Sequence, residues 1–269
     1  MNVSNSIELA RKVRIHAVKM VNRGGSSHIA SILSTVDILS VLYGKIMNYR
    51  SSNPKWKNRD RFILSKGHAG AGVYAVLAES GFFKVSELEN HYKDGSIFSG
   101  HVSHKGVPGV ELSTGSLGHG LSVAAGVALA AKINKNIFKV FVLMSDGELD
   151  EGSNWEALMF SSHHNLNNLT AIIDRNFLQS IESTENTLTL EPLKDKLIAF
   201  GWNVIEVDGH DHYQLIEALN SICDKPKIII ANTIKGKGVS FMENDNKWHY
   251  QTPLGENFEK AIQELEAKK

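Results

Sequence analysis

The stretch VLMSDGELDEGSNWEALMF, Val142 to Phe160, joins an apolar run to a helix-like pattern through a short acidic segment. The apolar run is typical of a buried strand, and a strand that passes through a turn into a helix is typical of parallel sheets. A run of acids most often forms a solvated turn, so the rest of the chain must show whether this one has another role. Four carboxylates follow the run within six positions: Asp146, Glu148, Asp150 and Glu151.

Strand-like and helix-like patterns alternate along the rest of the chain. This alternation predicts an α/β fold with three layers, α/β/α, around a mostly parallel sheet. No internal repeat, low-complexity segment or Pro/Gly/Ser-rich linker divides the sequence, so we expect a single domain over residues 1–269. The predicted helices are 6–21, 36–47, 155–164 and 213–222, and the predicted strands are 61–65, 138–145, 169–174, 202–208 and 227–233.

The composition is that of an ordinary globular protein, with 42% hydrophobic and 22% charged residues over 269 positions. Lys plus Arg equals Asp plus Glu at 29 each, so no net field favours nucleic acid or an anionic membrane. The single cysteine, Cys223, cannot form an internal disulfide. No apolar run approaches the roughly 18 residues that span a bilayer, and the N-terminus lacks the apolar part of a secretion signal. We therefore expect a cytoplasmic protein.

Polar side chains follow two of the predicted strands. Asp146, with Gly147 after it, ends the run Val140 to Met144, and Asn176 comes shortly after the run Leu169 to Ile173. Parallel strands end at one edge of a sheet, where ligands bind, so both side chains are expected in one crevice. A carboxylate, a carboxamide and a nearby backbone carbonyl suit Mg²⁺ with a phosphorylated ligand. On spacing alone, such a pair also occurs by chance in α/β proteins.

Further motifs narrow the interpretation. Ser145-Asp146-Gly147, followed by Asn176, resembles the thiamine-diphosphate signature, although Ser145 stands where a glycine is usual. Four other segments resemble the diphosphate-binding half of transketolases, and the resemblance runs from about Ala17 to Pro253. The segments are FILSKGHAGAGVYAVLAESGFF, GHVSHKGVPGVELSTGSLGHGLSVAAGVALAAK, SDGELDEGSNWEA and VDGHD.

The resemblance implies an enzyme that moves a two-carbon ketol unit from a ketose donor to an aldehyde acceptor with thiamine diphosphate and Mg²⁺. Common transketolases are much longer, because a pyrimidine-binding domain and a third domain follow. The chain is therefore similar to the N-terminal subunit of a split transketolase. This implies a separate pyrimidine-binding subunit, with two copies of each chain in the assembly.

The resemblance also implies roles for single residues. His28, His101 and His249 match histidines of the substrate channel, and Glu151 matches a glutamate that couples two cofactor sites through shared protons. Each histidine could instead be a buried structural residue. The implied cofactor-binding residues are His68, Gly115, Leu117, Gly147, Asn176 and Ile234, and the implied metal ligands are Asp146, Asn176 and Leu178. The two remaining acids, Glu148 and Asp150, are expected to be solvated.

Two departures from the family pattern bear on the substrate. Ser27 precedes His28 where a glycine is usual, and Tyr250-Gln251-Thr252-Pro253 follows His249 where Gly-Ala-Pro is usual. The bulk of Tyr250 is unfavourable to the usual sugar-phosphate substrate.

Three alternatives remain at this point. His119 and the histidine pairs 101/104, 163/164 and 210/212 could form a hydrolase-type metal site, although the sequence has no HExxH motif. The cofactor could serve a 2-oxo acid decarboxylase or dehydrogenase. The chain could also be a scaffold subunit without turnover.

Overall fold

A computed structural model of the chain describes residues 3–267 and contains a five-stranded sheet in the order β1-β2-β3-β5-β4. Every neighbouring pair of these strands is parallel. The α/β prediction is therefore confirmed, and each strand overlaps its predicted range. The strands are β1 (Arg61–Leu64), β2 (Val140–Ser145), β3 (Leu169–Arg175), β4 (Asn203–Asp208) and β5 (Lys227–Asn232).

Helices surround this sheet. The four predicted helices correspond to α1, α3, α6 and α9, whereas the others were not singled out from the sequence. Two of the missed helices, α4 and α5, are rich in glycine and alanine, so they lack the alternation of apolar and polar residues that marks an amphipathic helix. The helices are α1 (Ser4–Gly24), α2 (Ile29–Leu33), α3 (Val36–Val41), α4 (Gly70–Glu79), α5 (Gly120–Ile133), α6 (Gly152–His163), α7 (Thr184–Thr187), α8 (Leu193–Ala199), α9 (His212–Asn220) and α10 (Glu256–Ala267).

Both faces of the sheet are buried. In β2, Phe141 and Leu143 pack into a core shared with α1, α3, α4 and α9. Val142 and Met144 point the other way, into a core shared with α5, α6 and α8. Alternate residues of a strand point to opposite faces, so a strand covered on both sides is apolar throughout. This explains the continuous apolar run that precedes the acidic segment.

One segment, Ile29–Ile46, is long and apolar enough to cross a membrane by length and composition, with a mean hydropathy of 1.5 over 18 residues. The prediction that no apolar run approaches the roughly 18 residues that span a bilayer was wrong. The two charged residues of this segment, Asp37 and Lys45, lower its mean hydropathy too little. The structure buries 83% of the segment inside the protein. It includes α2 and α3 and packs as part of the core.

The sheet register brings the polar strand ends together. Ser145 of β2 lies opposite Asp174 of β3, and Asp174 lies opposite Ala231 of β5. The residues that follow β1, β2, β3 and β5 therefore emerge at the same edge. Segments 65–68, 146–151, 176–180 and 233–235 meet there.

Candidate functional site

A cavity of about 220 Å³ lies at this edge. It collects side chains from the ends of β1, β2 and β3 together with residues near α2 and near the C-terminal end of the chain. Seven of the thirteen lining residues were assigned to the site from the sequence, namely His68, Leu117, Asp146, Gly147, Asn176, Leu178 and His249. The other six are Ser31, Lys66, Ser145, Gln179, Ser180 and Tyr250.

Asp146 is fixed by the backbone and is 1% exposed. Its Oδ1 accepts a hydrogen bond from Gly147 N at 2.8 Å, and its Oδ2 accepts one from Phe177 N at 2.7 Å. Burial and the nearby Asp174 carboxylate raise the pKa of Asp146 to about 6, although Arg175 opposes the shift. A divalent cation at the carboxylate would offset this penalty, because it favours the charged form.

Asn176 and Leu178 supply two further oxygens. The Asn176 amide donates from Nδ2 to Asp174 Oδ2 at 3.2 Å, which leaves its Oδ1 on the other side, where it accepts from Leu178 N at 3.2 Å. The Leu178 carbonyl accepts from Lys235 Nζ at 3.3 Å. The atoms of Asp146, Asn176 and Leu178 that could bind a metal are all oxygens, and these residues line one cavity. They therefore fit a hard ion such as Mg²⁺.

Beneath these groups lies a buried ion pair that the sequence did not reveal. Lys66 Nζ donates to Asp174 Oδ2 at 2.5 Å, and neither residue is exposed. Asp174 also accepts from Ser34 Oγ at 2.7 Å and from the Thr233 hydroxyl. Burial alone would raise the pKa of Asp174, but Lys66 and these hydrogen bonds hold it below its usual value. The Asp174 carboxylate therefore stays charged under the cavity floor.

Four histidines cluster beside the cavity. The ring centroid of His28 lies 4.9 Å from that of His249, 5.1 Å from that of His68 and 5.6 Å from that of His101. His28 has a left-handed backbone with φ 72°, an unusual conformation for a residue with a side chain. Its N–H donates to the His249 carbonyl at 2.8 Å, which ties α2 to the distant C-terminal segment.

The same packing keeps the histidines neutral. Burial and the nearby His101 and Lys66 lower the pKa of His28 to about 4. Burial, Lys235 and His28 lower the pKa of His249 to about 3. Burial and the charge of Lys66 hold the pKa of His68 well below its usual value. A neutral imidazole has one donor and one acceptor nitrogen, so such rings can bind hydroxyl groups and pass protons.

Tyr250 and the glycines shape the cavity boundary. The Tyr250 ring lies 4.7 Å from the His249 ring and 5.8 Å from the His28 ring, and its side chain is largely exposed at the mouth of the cavity. A Cβ at Gly147 would lie 2.8 Å from Gln179 Cγ, so a larger residue there would require the Gln179 side chain to shift. Gly115 lies beside His101, where an added Cβ would be 3.5 Å from its ring.

Five of the expected site residues lie outside the cavity lining, namely His28, His101, Gly115, Glu151 and Ile234. The first two belong to the histidine cluster beside the cavity, and Gly115 lies next to the His101 ring. Glu151 is exposed, and Ile234 donates its N–H to His210 Nε2 at 2.8 Å. The expectation of solvation was wrong for Glu148, which is fully buried, because loops from elsewhere in the chain cover it. Asp150 is partly buried and accepts from Gln179 Nε2 at 2.7 Å.

The remaining histidine pairs form no metal centre in residues 3–267. His210 Nδ1 and His212 Nε2 contact Asp37 at 2.7 and 3.1 Å, and Arg14 binds the same carboxylate. No group of three or more His, Cys, Asp or Glu side chains among the described residues is placed to hold a metal ion. This arrangement does not favour a hydrolase-type site.

Comparison with known families agrees with the fold and the cavity. The family model described as "Transketolase, thiamine diphosphate binding domain" matches residues 5–266. The chain belongs to the transketolase family. It is 43% identical to an apulose-4-phosphate transketolase subunit of Phocaeicola vulgatus, over 95% of this chain and 92% of that protein. It is 37% identical to a 6-deoxy-6-sulfo-D-fructose transketolase subunit of a Clostridium species, over 96% and 94% of the two chains.

Solved transketolases have the same fold. The crystal structure of transketolase from Campylobacter jejuni superposes with a TM-score of 0.91 at 33% identity and covers 99% of this chain. This chain, in turn, spans only 43% of that transketolase. The predicted family and the predicted class, one subunit of a transketolase-type transferase, are confirmed.

Proposed function

We propose that this transketolase-family chain is the cofactor-binding subunit of a two-subunit enzyme that transfers a two-carbon ketol unit from a ketose to an aldehyde. The observation that carries the proposal is the packing of four neutral histidines beside a cavity that also holds Asp146 and Asn176. This combines ligands for a metal and diphosphate with groups that bind sugar hydroxyls. Relatives of similar length are named as transketolase subunits, which supports the same conclusion.

The chain would hold thiamine diphosphate through its charged end. The Asp146 carboxylate, the Asn176 amide oxygen and the Leu178 carbonyl would bind Mg²⁺, and the metal would bind the diphosphate. His68 lines the same cavity and would donate to a diphosphate oxygen. The bound cofactor supplies a thiazolium ring that stores the electrons of the broken carbon–carbon bond.

The other histidines would act on the sugar. The rings of His101 and His249 lie 5.6 and 4.9 Å from the ring of His28, and the lowered pKa values keep at least His28 and His249 neutral at pH 7. A neutral ring can accept a proton from a donor hydroxyl and return it to the acceptor oxygen. Lys66 and Lys235 contribute positive charge nearby, which makes protonation of the His28 and His249 rings unfavourable.

A separate pyrimidine-binding subunit would complete the site. The family's ring-activating glutamate belongs to that domain, and no acid of this chain matches it. Glu151 is exposed and would face the assembled partner's carboxylate, thereby coupling the two cofactor sites. We propose an assembly of two copies of each subunit in the cytoplasm.

The substrate would be a sugar that tolerates Tyr250 at the mouth of the cavity. Two relatives are named for different sugars, apulose 4-phosphate and 6-deoxy-6-sulfo-D-fructose. These names support sugar donors other than the common ones. The proposal therefore covers the ketol-transfer reaction and leaves the individual sugar to a substrate screen.

The test is a ketol-transfer assay with a panel of ketoses and aldehydes, performed with the chain alone and with its candidate partner. We expect turnover only when both subunits, thiamine diphosphate and Mg²⁺ are present. A His101→Ala variant mixed with the same partner should lose about 100-fold in turnover while retaining cofactor affinity. Turnover by the isolated chain would contradict the two-subunit proposal.

A further inference from the structure

Glu148 is a buried acid in the segment that follows β2, and the proposed function gives it no role. Its Oε1 accepts hydrogen bonds from Gly118 N at 2.9 Å and from the Ser65 hydroxyl, and its Oε2 accepts from Ser145 N at 3.2 Å. A buried carboxylate is costly unless it is fully hydrogen-bonded, and here donors from three separate segments satisfy it. Ser65 follows β1, Gly118 precedes α5 and Ser145 is the last residue of β2.

The loop before α5 is held from both sides at Gly118. While Glu148 accepts from its N–H, the Ser153 hydroxyl donates to its carbonyl at 2.7 Å. Gly118 has φ +85°, and a Cβ there would lie 2.6 Å from Glu151 Cβ. The acidic segment and the start of α6 therefore pack closely against Gly118, and only glycine fits between them.

Two further contacts fix the ends of the same loop. Thr114 Oγ1 donates to the Leu64 carbonyl at 2.5 Å, and Gly120 N donates to Ser65 Oγ at 3.1 Å. Because Ser65 also donates to Glu148, the carboxylate supports both the middle of the loop and its far end. Leu117, which directly precedes Gly118, lines the cavity.

We propose that Glu148 is a positioning residue that sets the 114–120 loop, and with it Leu117, against the organic part of thiamine diphosphate. This rests on the proposed function, since it takes thiamine diphosphate as the ligand. The charged end of the ligand depends on a different group, because Asp146 is held by Gly147 N and Phe177 N and not by the loop. Glu148 thus acts on the organic end of the ligand and leaves the metal–diphosphate end unchanged.

The test compares two ligands on the full chain by titration calorimetry: thiamine diphosphate with Mg²⁺, and inorganic pyrophosphate with Mg²⁺. Glu148→Met should weaken thiamine diphosphate binding by about tenfold or more, the loss expected for a charge-assisted hydrogen bond. Pyrophosphate binding should change by less than about twofold, because Glu148 and Asp146 share no hydrogen-bond donor. Glu148→Gln should restore most of the lost affinity, since its amide oxygen can still accept from Gly118 N–H.

Hydrogen exchange gives a second readout that does not depend on any ligand. The Gly118 amide should exchange faster in Glu148→Met and remain slow in Glu156→Met, a matched change at an exposed glutamate of α6. If Glu148→Met does not fold, Ser153→Ala, which releases only the Gly118 carbonyl, should show a smaller loss of the same kind.

Equal loss of both ligands in Glu148→Met, or unchanged binding together with unchanged exchange, would overturn the positioning role. A wild-type chain that binds neither ligand would contradict the proposed function instead. In that case the exchange comparison would still decide whether Glu148 holds the loop.

Discussion

At the scale of single residues, the site is a set of buried charges and neutral rings that depend on one another. Lys66 and Asp174 form a fully buried pair, and Asp174 also orients the Asn176 amide. Removing one partner of such a pair leaves an uncompensated charge, which costs far more than an exposed ion pair. The positive charge of Lys66 in turn disfavours protonation of His28 and His68.

Asp146→Ala tests the proposed metal site. We expect the variant to weaken Mg²⁺-dependent binding of thiamine diphosphate by at least about 10- to 100-fold, the range found even for groups that only support a metal ligand. Calorimetry with and without Mg²⁺ measures this, and Asp224→Ala, at an exposed acid, is the matched control. Full cofactor affinity in Asp146→Ala would remove this residue from the ligand set.

His28 gives a pH dependence whose sign can be derived. Its pKa is about 4 when folded and close to 6.5 when unfolded, so the unfolded chain binds more protons between these values. The free energy of unfolding therefore falls as the pH drops from 6.5 to 4, whereas above 6.5 this group has no effect.

Urea unfolding of the wild type and of His28→Gln at several pH values measures this contribution. The wild type should lose stability relative to the variant as the pH falls through this window. A stability difference that stays constant from pH 7 to pH 4.5 would contradict the low pKa of His28.

At the scale of elements, β2 is the central support of the site. Its side chains alternate between two cores, and its last residues lead directly into Asp146. A strand buried on both faces gains hydrophobic stabilisation from every residue, which makes its end a rigid place for the proposed metal ligand Asp146. The acidic segment after it is short and is held by the loops that Glu148 contacts.

Leu143→Ala should lower the free energy of unfolding by about 2–5 kcal/mol, because it removes fully buried methyl groups and leaves a cavity. Urea denaturation checks the value. Leu254→Ala is the same substitution at a residue that is 60% exposed, so its effect should stay within about 0.5 kcal/mol. Similar losses in the two variants would show that β2 is not packed as described.

At the scale of the whole molecule, several large apolar side chains remain on the surface. Ile133, Ile137, Met159 and Ile181 are 71%, 80%, 57% and 85% exposed, respectively. Single exposed apolar residues are normal, but an obligate subunit is also expected to carry them. The formal charge of zero adds no strong electrostatic repulsion between copies.

For the proposed assembly, we expect light scattering of the chain mixed with its pyrimidine-binding partner to give the mass of two copies of each subunit. The chain alone, at the same concentration, should give a smaller particle and no ketol transfer. A stable one-to-one complex with full turnover would contradict the two-plus-two arrangement.

The sequence by itself determined the strands and the position of Asp146 and Asn176, the pair proposed to bind the metal. Apolar runs such as Val140 to Met144 are local signals, and they mark strands because parallel strands buried on both faces need them. Since such strands end at one edge, Asp146 and Asn176 could be placed together from the order of the residues alone. The family motifs added the histidines and the cofactor.

Only the tertiary structure decided which charges are buried and which segments meet. Glu148 looks like its exposed neighbour Glu151 in the sequence, yet it is fully buried, because Ser65 and Gly118 approach it from other parts of the chain. Lys66 likewise finds Asp174 only across the sheet edge. Burial and partners depend on long-range packing, whereas strand and helix patterns depend on near neighbours in the chain. The fold could therefore be predicted from the sequence, but the internal support of the site could not.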